Sequence, residues 1–419
     1  MKKVIIALAL LLGSIAPIGQ AQAEADVAAT DEMPFTDIAK HWAKDNILKA
    51  YESGLVDGFP DGTFRPDDVV TADQFLVMML RAHSVTVDGK TEFDPEWYRE
   101  LGAVQPGHLN TIKSTVSRQK FNFQSASAGY WAKPFIDFIF ETPFIYTNDL
   151  VFPKDYNRFK KQIMREEASY LLGSWFTTFD FRLQIQYAEH ILKNSGLKDF
   201  NNFGVDAGTY RADVLAAGLM NGYPTNNFYP KRYVTRAEAL TMAQRLREPA
   251  LRIPFKPSLK GLYYTENEGT VFLFSDKTKY DFYNKFVALA SQHIKTGYIY
   301  KFGGSGLQIF KSEDDYEKWI YMTKTMQFEN RPTAELIVQV DPDTYKTAGI
   351  VFPYDTTFPN TKNYLASVYD MLAGPGMGSG LKKQVDLLMA DGISKSFTYN
   401  GKNFEYKNLG KLISVTLYY

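Results

Sequence analysis

Apolar residues Ile47, Leu48, Tyr51 and Leu55 fall at helical spacing among charged neighbours and predict an amphipathic helix over residues 41–53. Gly54 follows it, where a helix C-terminal glycine belongs. The chain then turns through Gly58-Phe59-Pro60-Asp61-Gly62-Thr63-Phe64-Arg65-Pro66, a loop rich in turn formers with two aromatic anchors. Thr71-Ala72-Asp73-Gln74 opens a second helix, because Thr at the cap with Gln three residues on makes a capping box. Past Pro249, Pro254 and Pro257 the pattern changes to short aromatic-rich strands alternating with helices. Strands are predicted at 270–274, 298–302, 307–310, 334–340 and 348–352, and helices at 280–294, 314–326, 364–372 and 381–389. A closing meander runs through Phe397-Thr398-Tyr399, an Asn400-Gly401 turn of type I′, Phe404-Glu405-Tyr406 and residues 412–419. That predicts an α+β domain with antiparallel strands over 258–419.

The helix–loop–helix unit recurs. Residues 54–81 and 218–245 align without a gap at an offset of 164, with 11 of 28 positions identical. Unrelated stretches of ordinary composition would share about one or two. The identities include Gly54/Gly218, Gly58/Gly222, Pro60/Pro224, Phe64/Phe228, Val70/Val234, Thr71/Thr235 and Arg81/Arg245. Such a unit seldom buries its own apolar face, so repetition defines the architecture. A degenerate middle copy carries Tyr130-Trp131-Ala132-Lys133, Phe152-Pro153 and Met164-Arg165-Glu166-Glu167, matching His41-Trp42-Ala43-Lys44, the loop end and the second helix start. The repeats are placed at 33–84, 129–180 and 199–248, with an insertion of hairpin or short helices at 85–128.

These motifs resemble the S-layer homology (SLH) domain: an early Phe-x-Asp, a Trp-Ala, a Gly-Phe-Pro-Asp-Gly-Thr-Phe loop, and Thr235-Arg236-Ala237-Glu238 at a helix start. The resemblance covers roughly residues 33 to 248. It implies a mainly α-helical, pseudo-threefold module that binds an anionic, often pyruvylated, cell-wall polysaccharide non-covalently, or in some lineages modified peptidoglycan.

Composition narrows the alternatives. Lys2 and Lys3, an apolar run over 4–12 and Ala21-Gln22-Ala23 predict a secretory signal over 1–23. That apolar run is too short to span a bilayer, and no later stretch of the mature chain is a membrane span. Basic and acidic side chains number 47 each, so no nucleic-acid partner is expected. Cysteine is absent, which excludes thiol catalysis, zinc-thiolate sites and iron–sulfur clusters. No cofactor or metal motif is present.

The binding candidates are Arg165, Arg236, Gly58, Gly222, Trp42 and Trp131. Thr235 and Glu238 are explained as a capping box. Arg236 is not, because a cation in a helix's first turn opposes the dipole. Free helix N–H groups plus a guanidinium fork suit a carboxylate. The competing expectation is an ion pair with a neighbouring repeat. Repeat 1 has Ala72 where the others have Arg, so two grooves are expected at most. Gly58 and Gly222 either let a sugar approach the backbone or turn the chain with positive φ. Trp42 and Trp131 either stack on a sugar ring or belong to the core.

The C-terminal segment carries little recognisable chemistry. Gly374-Pro375-Gly376-Met377-Gly378-Ser379-Gly380 lacks the Lys-Ser/Thr ending of a phosphate loop and follows a helix, so it reads as a helix–helix connection. His293 is its sole histidine. Asp341-Pro342-Asp343 is not followed by a complete calcium-binding loop. Asp276, Asp281, Glu313, Asp314 and Asp315 are the carboxylates a glycosidase would draw on. The expectation is a secreted, wall-anchored surface protein with a non-enzymatic C-terminal domain. An anchored polysaccharide-modifying enzyme is the alternative. An outer-membrane barrel tether, suggested by alternating Ile413, Val415, Leu417 and Tyr419, is third.

Overall fold

The computed structural model describes residues 34–145, 151–179, 183–200, 202–204, 209–267, 269–325, 327–341, 346–354 and 361–418. The expected signal segment lies outside them. The N-terminal part is helical: α1 (Lys44–Glu52), α2 (Ala72–Arg81), a hairpin of β1 (Ser84–Val87) and β2 (Lys90–Phe93), α3 (Pro95–Val104), α4 (Pro106–Gln119), α5 (Lys133–Phe140), α6 (Tyr156–Phe159), α7 (Arg165–Phe179), α8 (Ile185–Asn194), α9 (Tyr210–Ala216) and α10 (Arg236–Arg247). Helix α1 starts later than the spacing predicts, because residues 41–43 form a turn in which the Ala43 N–H donates to His41 Nδ1 at 3.2 Å. Gly54 and Gly218 take positive φ, +70° and +73°, which glycine alone tolerates without cost at a helix exit.

The segments entering α2, α7 and α10 meet in a closed ring. Val70 N–H donates to Val234 O at 3.0 Å, Val234 N–H to Ile163 O at 3.0 Å, and Ile163 N–H to Val70 O at 3.1 Å. One step on, Ala72, Arg165 and Arg236 donate their N–H groups to Lys161, Arg232 and Asp68 carbonyls at 2.8–2.9 Å. First-turn N–H groups, which a helix cannot satisfy internally, are thereby paired between segments. Ala72, Arg165 and Arg236 hold equivalent positions in this ring. Each helix also has the same N-terminal cap: Gln74, Glu167 and Glu238 accept from the backbone of Thr71, Met164 and Thr235 at 2.8–3.1 Å. Met164, which has no capping hydroxyl, keeps this half of the box.

The insertion contains both a hairpin and helices. His83, just past α2, ties it down: its ring stacks on Trp97 of α3 at 4.5 Å, and Trp175 Nε1 of α7 donates to its Nε2 at 3.2 Å. His83 is only 4% exposed, and burial holds its pKa near 3. Charging it would place an uncompensated cation in an aromatic core.

The chain does not leave this core at the prolines. Ile253 and Phe255 N–H groups donate to Gly218 and Leu215 carbonyls at 3.2 and 3.0 Å, and Leu259 packs on the same core. Strands β3 (Tyr263–Asn267) and β4 (Thr270–Phe274) then form a hairpin shared by two cores. Val271 and Leu273 belong to the first, Phe274 to the second. Gln184 clamps β4 in both directions, donating to Leu273 O at 3.0 Å and accepting from Leu273 N at 2.6 Å.

The C-terminal part is built on seven antiparallel strands in the order β5-β6-β7-β8-β11-β10-β9. These are β5 (Tyr298–Phe302), β6 (Gly306–Phe310), β7 (Leu336–Val340), β8 (Lys346–Pro353), β9 (Lys395–Tyr399), β10 (Lys402–Asn408) and β11 (Leu412–Tyr418). Helices α11 (Lys277–His293), α13 (Lys362–Ala373) and α14 (Gly378–Asp391) cover one face. Helix α12 (Glu313–Lys324) lies against β5 and β6 on the other, stacking Tyr316 on Tyr298 at 4.6 Å. The sheet is open, with β5 and β9 at opposite ends. Ile413, Val415 and Leu417 are buried in the core shared with the covering helices, so the alternation that suggested a barrel marks the helix-covered face of this sheet.

Candidate functional site

Each arginine singled out from the sequence works in another repeat's loop. Arg165 begins α7 yet reaches the loop before α10. Its Nε donates to Phe228 O at 2.8 Å and an Nη to Asn221 O at 2.9 Å, with the guanidinium 4.6 and 4.7 Å from the Tyr223 and Phe228 ring centres. Arg236 begins α10 and reaches the loop before α2. It donates to Asp57 O at 2.7 Å and lies 5.1 and 4.6 Å from the Phe59 and Phe64 rings. Asp57, Phe59 and Phe64 match Asn221, Tyr223 and Phe228 at the offset of 164. The two sites therefore share one construction: a planar cation held between two aromatic faces and a loop carbonyl.

They differ in depth. Arg165 is only 4% exposed, and Arg236 is partly exposed with its Nε finding no acceptor among the described residues. Burial pushes both guanidinium groups below their ordinary pKa, and the neighbouring Tyr223 and Glu238 push Arg165 back up. Both remain cations at neutral pH. An Nη of Arg165 is 3.9 Å from Glu238, a loose ion pair. Arg236 has no carboxylate at ion-pair distance among the described residues.

The Arg165 site opens into a groove of about 710 Å³ lined by Trp42, Asn221, Tyr223, Arg232, Glu238 and Arg245, among others. Arg232 is 3.3 Å from Glu238, and Arg245 donates to Asn221 Oδ1 at 2.9 Å. Tyr223 hydrogen-bonds Glu238, and burial together with that bond pushes its phenol up to about 12. Trp42 is 64% exposed at this groove, and Trp131 is 37% exposed. The core expectation for both is corrected, most clearly for Trp42: they sit in turns before α1 and α5, where no helical face carries them inward. Trp131 is placed beside α2 by its neighbour Tyr130, whose hydroxyl donates to Asp73 at 2.7 Å.

Gly58 and Gly222 are not positive-φ positions, which corrects that expectation. A Cβ on Gly58 would stand 2.1 Å from the Phe35 ring, and on Gly222 2.2 Å from Leu197 Cδ2. Both glycines are explained by this close packing under the loop. Two residues beyond Phe35 and Leu197, Asp37 and Asp199 hold the loop ends. Asp37 accepts from Phe64 and Arg65 N–H at 2.8 and 2.7 Å, Asp199 from Phe228 and Tyr229 N–H at 2.6 and 2.8 Å. Those bonds support positive φ at Arg65 and Tyr229, 57° and 55°. Gly222→Ala should cost about 1–3 kcal/mol, the usual penalty of overpacking. Urea unfolding of the variant checks it.

The middle loop differs. Ala72 offers no guanidinium; instead Arg158 of α6 lies 4.3 Å from the Phe152 ring and pairs with Glu167 at 2.5 Å. Sequence reasoning missed Arg158, Arg232, Arg245 and Asn221. The Arg81/Arg245 identity was the available signal for one of them; the others depend on chain approach.

The S-layer homology domain model matches residues 34–76 and 212–240, which fall within the first and third repeats. The chain carries S-layer homology domains. Among similar proteins, Outer membrane protein SlpA of Deinococcus radiodurans is 37% identical over 92 residues, 22% of this chain and 8% of that protein. Cell surface glycoprotein 1 of Acetivibrio thermocellus is 32% identical over 116 residues, 27% and 4% of the two chains. Amylopullulanase of Thermoanaerobacterium thermosulfurigenes is 25% identical over 215 residues, 51% and 9%. The chain thus spans under a tenth of the length of each.

Proposed function

We propose that this is a secreted bacterial surface protein whose helical part is a pseudo-threefold S-layer homology module. It anchors the chain non-covalently by binding an anionic, pyruvylated cell-wall polysaccharide. The C-terminal α+β domain is displayed on it and is not an enzyme. The observation that carries the reading is the groove around Arg165, where a buried guanidinium, two further arginines and an exposed indole converge. A carboxylate-bearing sugar matches those groups: the guanidinium forks take the acid and Trp42 offers a flat apolar face to the ring. The closed ring of hydrogen bonds through Val70, Ile163 and Val234 supports the three-copy arrangement.

Purified wall fractions should sediment the full chain, and mild acid removal of pyruvate ketals should abolish the effect. Trp42→Ala should weaken sedimentation by about 1–2 kcal/mol, roughly the worth of the apolar area a sugar face buries on an indole, with an unchanged helical circular-dichroism signal. Full-strength binding to ketal-free walls would sink the anionic part of the reading.

An anchored polysaccharide-modifying enzyme is the second reading, favoured by the relatives named Amylopullulanase and Endoglucanase, the latter from Bacillus sp. and 39% identical over 56 residues. Of the five carboxylates it would use, four cap a helix, are paired or lie in the open, and Asp315 is half-buried on α12. Asp276 caps α11 by accepting from Lys279 N at 3.0 Å, Asp281 pairs with Lys277 at 2.6 Å, and Glu313 and Asp314 are exposed on α12. Ser367 Oγ lies 3.2 Å from both His293 Nε2 and Asn363 O, so the backbone carbonyl competes with the imidazole for its one proton. Release of reducing ends from wall polysaccharide by the full chain, abolished by one Asp or Glu substitution, would favour this second reading.

A further inference from the structure

The two ends of the C-terminal sheet are guarded unequally. At β5 the β3 hairpin covers the edge: Asn267 Nδ2 donates to Lys301 O at 2.7 Å and Thr265 Oγ1 to Gly304 O at 2.6 Å. At β9 no described residue bonds to the outer side of the strand. The Asn400–Gly401 turn sets the register of β9, with Tyr399 opposite Lys402, Phe397 opposite Phe404 and Lys395 opposite Tyr406. In a two-residue hairpin the pair closing the turn exchanges both backbone bonds, and every second pair beyond it does the same. Tyr399, Phe397 and Lys395 therefore direct their N–H and C=O groups at β10, and Ser396 and Thr398 turn theirs outward. Both of these residues are exposed. Such a row of free backbone groups is a template for another strand.

Helix α14 flanks this edge. Gly380 packs so closely on Tyr399 that a Cβ there would stand 2.0 Å from the phenol oxygen. Leu387 and Asp391 fall on the same side of the helix as Gly380, and Lys383 lies one turn before Leu387. All three are exposed. Lys382 and Asp386 pair with each other at 2.6 Å, but neither Lys383 nor Asp391 has an ion-pair partner among the described residues. Cation, apolar residue and anion at four-residue spacing complement themselves when a second α14 runs antiparallel: Lys383 meets the partner's Asp391, and Leu387 meets the partner's Leu387. The strand complements itself too. Antiparallel pairing about Phe397 sets Ser396 opposite the partner's Thr398, in pairs that exchange both bonds. Lys395, the one charge on the strand, falls opposite the partner's Tyr399 and meets no like charge. Because α14 runs back along β9, the two centres lie close together: Leu387 is about 10 Å along the helix from Gly380, and Phe397 about 7 Å along the strand from Tyr399.

We propose that a second copy of this chain docks here, joining β9 to β9 and α14 to α14 about a two-fold axis. The pairing continues the sheet from one copy into the other. It covers Leu387 and sets Ile393 beside the partner's Asn400–Gly401 turn, removing two apolar side chains from solvent. The dimer does not depend on the wall-binding reading, but its consequence rests on it: two helical modules tied together hold the wall bivalently, and attachment outlasts either contact alone.

Sedimentation velocity of the full chain over about 1 to 200 µM, where small interfaces form and dissociate, should show a concentration-dependent shift from one copy to two. Thr398→Pro deletes an outward N–H that β10 does not use, so the ladder survives and the dimer should be lost, with an unchanged circular-dichroism spectrum. Lys383→Asp and Asp391→Lys each set like charges across the axis and should weaken dimerisation about tenfold or more, whereas the two together should restore it. That exchange, at exposed positions of α14, keeps the test independent of how the strand accepts proline. A chain that stays single at every concentration leaves the edge to a foreign strand and overturns the proposal. So does a dimer that survives Thr398→Pro, or one that the double exchange fails to rescue.

Discussion

Acidification from pH 7 to pH 3 should remove about 4 kcal/mol of stability from the helical part through His83 alone, at about 1.4 kcal/mol per pKa unit. The folded chain holds this imidazole near 3, against an ordinary value of 6.5. As pH falls through 6.5 the unfolded chain takes up a proton that the folded chain refuses, so stability is complete above 6.5 and drains away towards 3. The cause is burial first, with the Arg247 charge adding to it and Asp94 opposing it. Because Trp175 donates to Nε2, a proton there would also break that hydrogen bond. His83→Gln keeps an acceptor for the indole and removes the titration. Urea unfolding at pH 7 and pH 4, followed by tryptophan fluorescence, should show the wild type losing about 3 kcal/mol more than the variant. Equal losses would exclude His83 as the origin.

The second large effect is at Arg165. Arg165→Ala should cost about 3–5 kcal/mol of stability, whereas Arg236→Ala should cost about 1–2, because charge-assisted hydrogen bonds are worth about 1.5–3 each and buried carbonyls left unpaired add to the loss. Arg165 seats two such bonds and closes the space between Tyr223 and Phe228; Arg236 seats one and is partly in solvent. Arg165→Met, which restores apolar contact with the rings but not the bonds, should fall between. Denaturant midpoints of the three variants give the comparison. Indistinguishable losses at the two arginines would mean that the depth of Arg165 carries no energetic weight.

Both arginines were legible in the sequence because a cation in a helix's first turn needs a reason. Their destination was not. No spacing rule says that Arg165 belongs to the loop at 221–228, since the approach of the two segments is made by the ring of Val70, Ile163 and Val234. The glycines show the same limit: identity at Gly58/Gly222 marked a constraint, but Phe35 and Leu197, which impose it, stand far off in sequence. Trp42 was ambiguous because a helix predicted from 41 gives it a face, whereas a turn ending at 43 leaves it in solvent. In the C-terminal part, alternation and turn chemistry located most of the strands, and Asn400-Gly401 takes positive φ at both positions as a type I′ turn requires. Strand β3 was missed, since Tyr263 and Tyr264 are exposed and its pattern carries no buried alternation. The prolines at 249–257 misled in one respect: they hold an extended strap against the first core, and do not release the chain from it.

The ring that joins the three helix entries has a consequence for how such a chain can grow. An open stack of repeats has ends, and a unit can be added or lost at either of them. Here each entry segment gives its N–H to one neighbour and its carbonyl to the other, so there is no end at which to add. A fourth unit would have to break the circle, and a missing one would leave a donor and an acceptor stranded in the core. New sequence can enter only along the outer connections. The hairpin and helices between residues 84 and 119 lie on such a connection, between the first entry segment and the second, and leave the circle's count untouched.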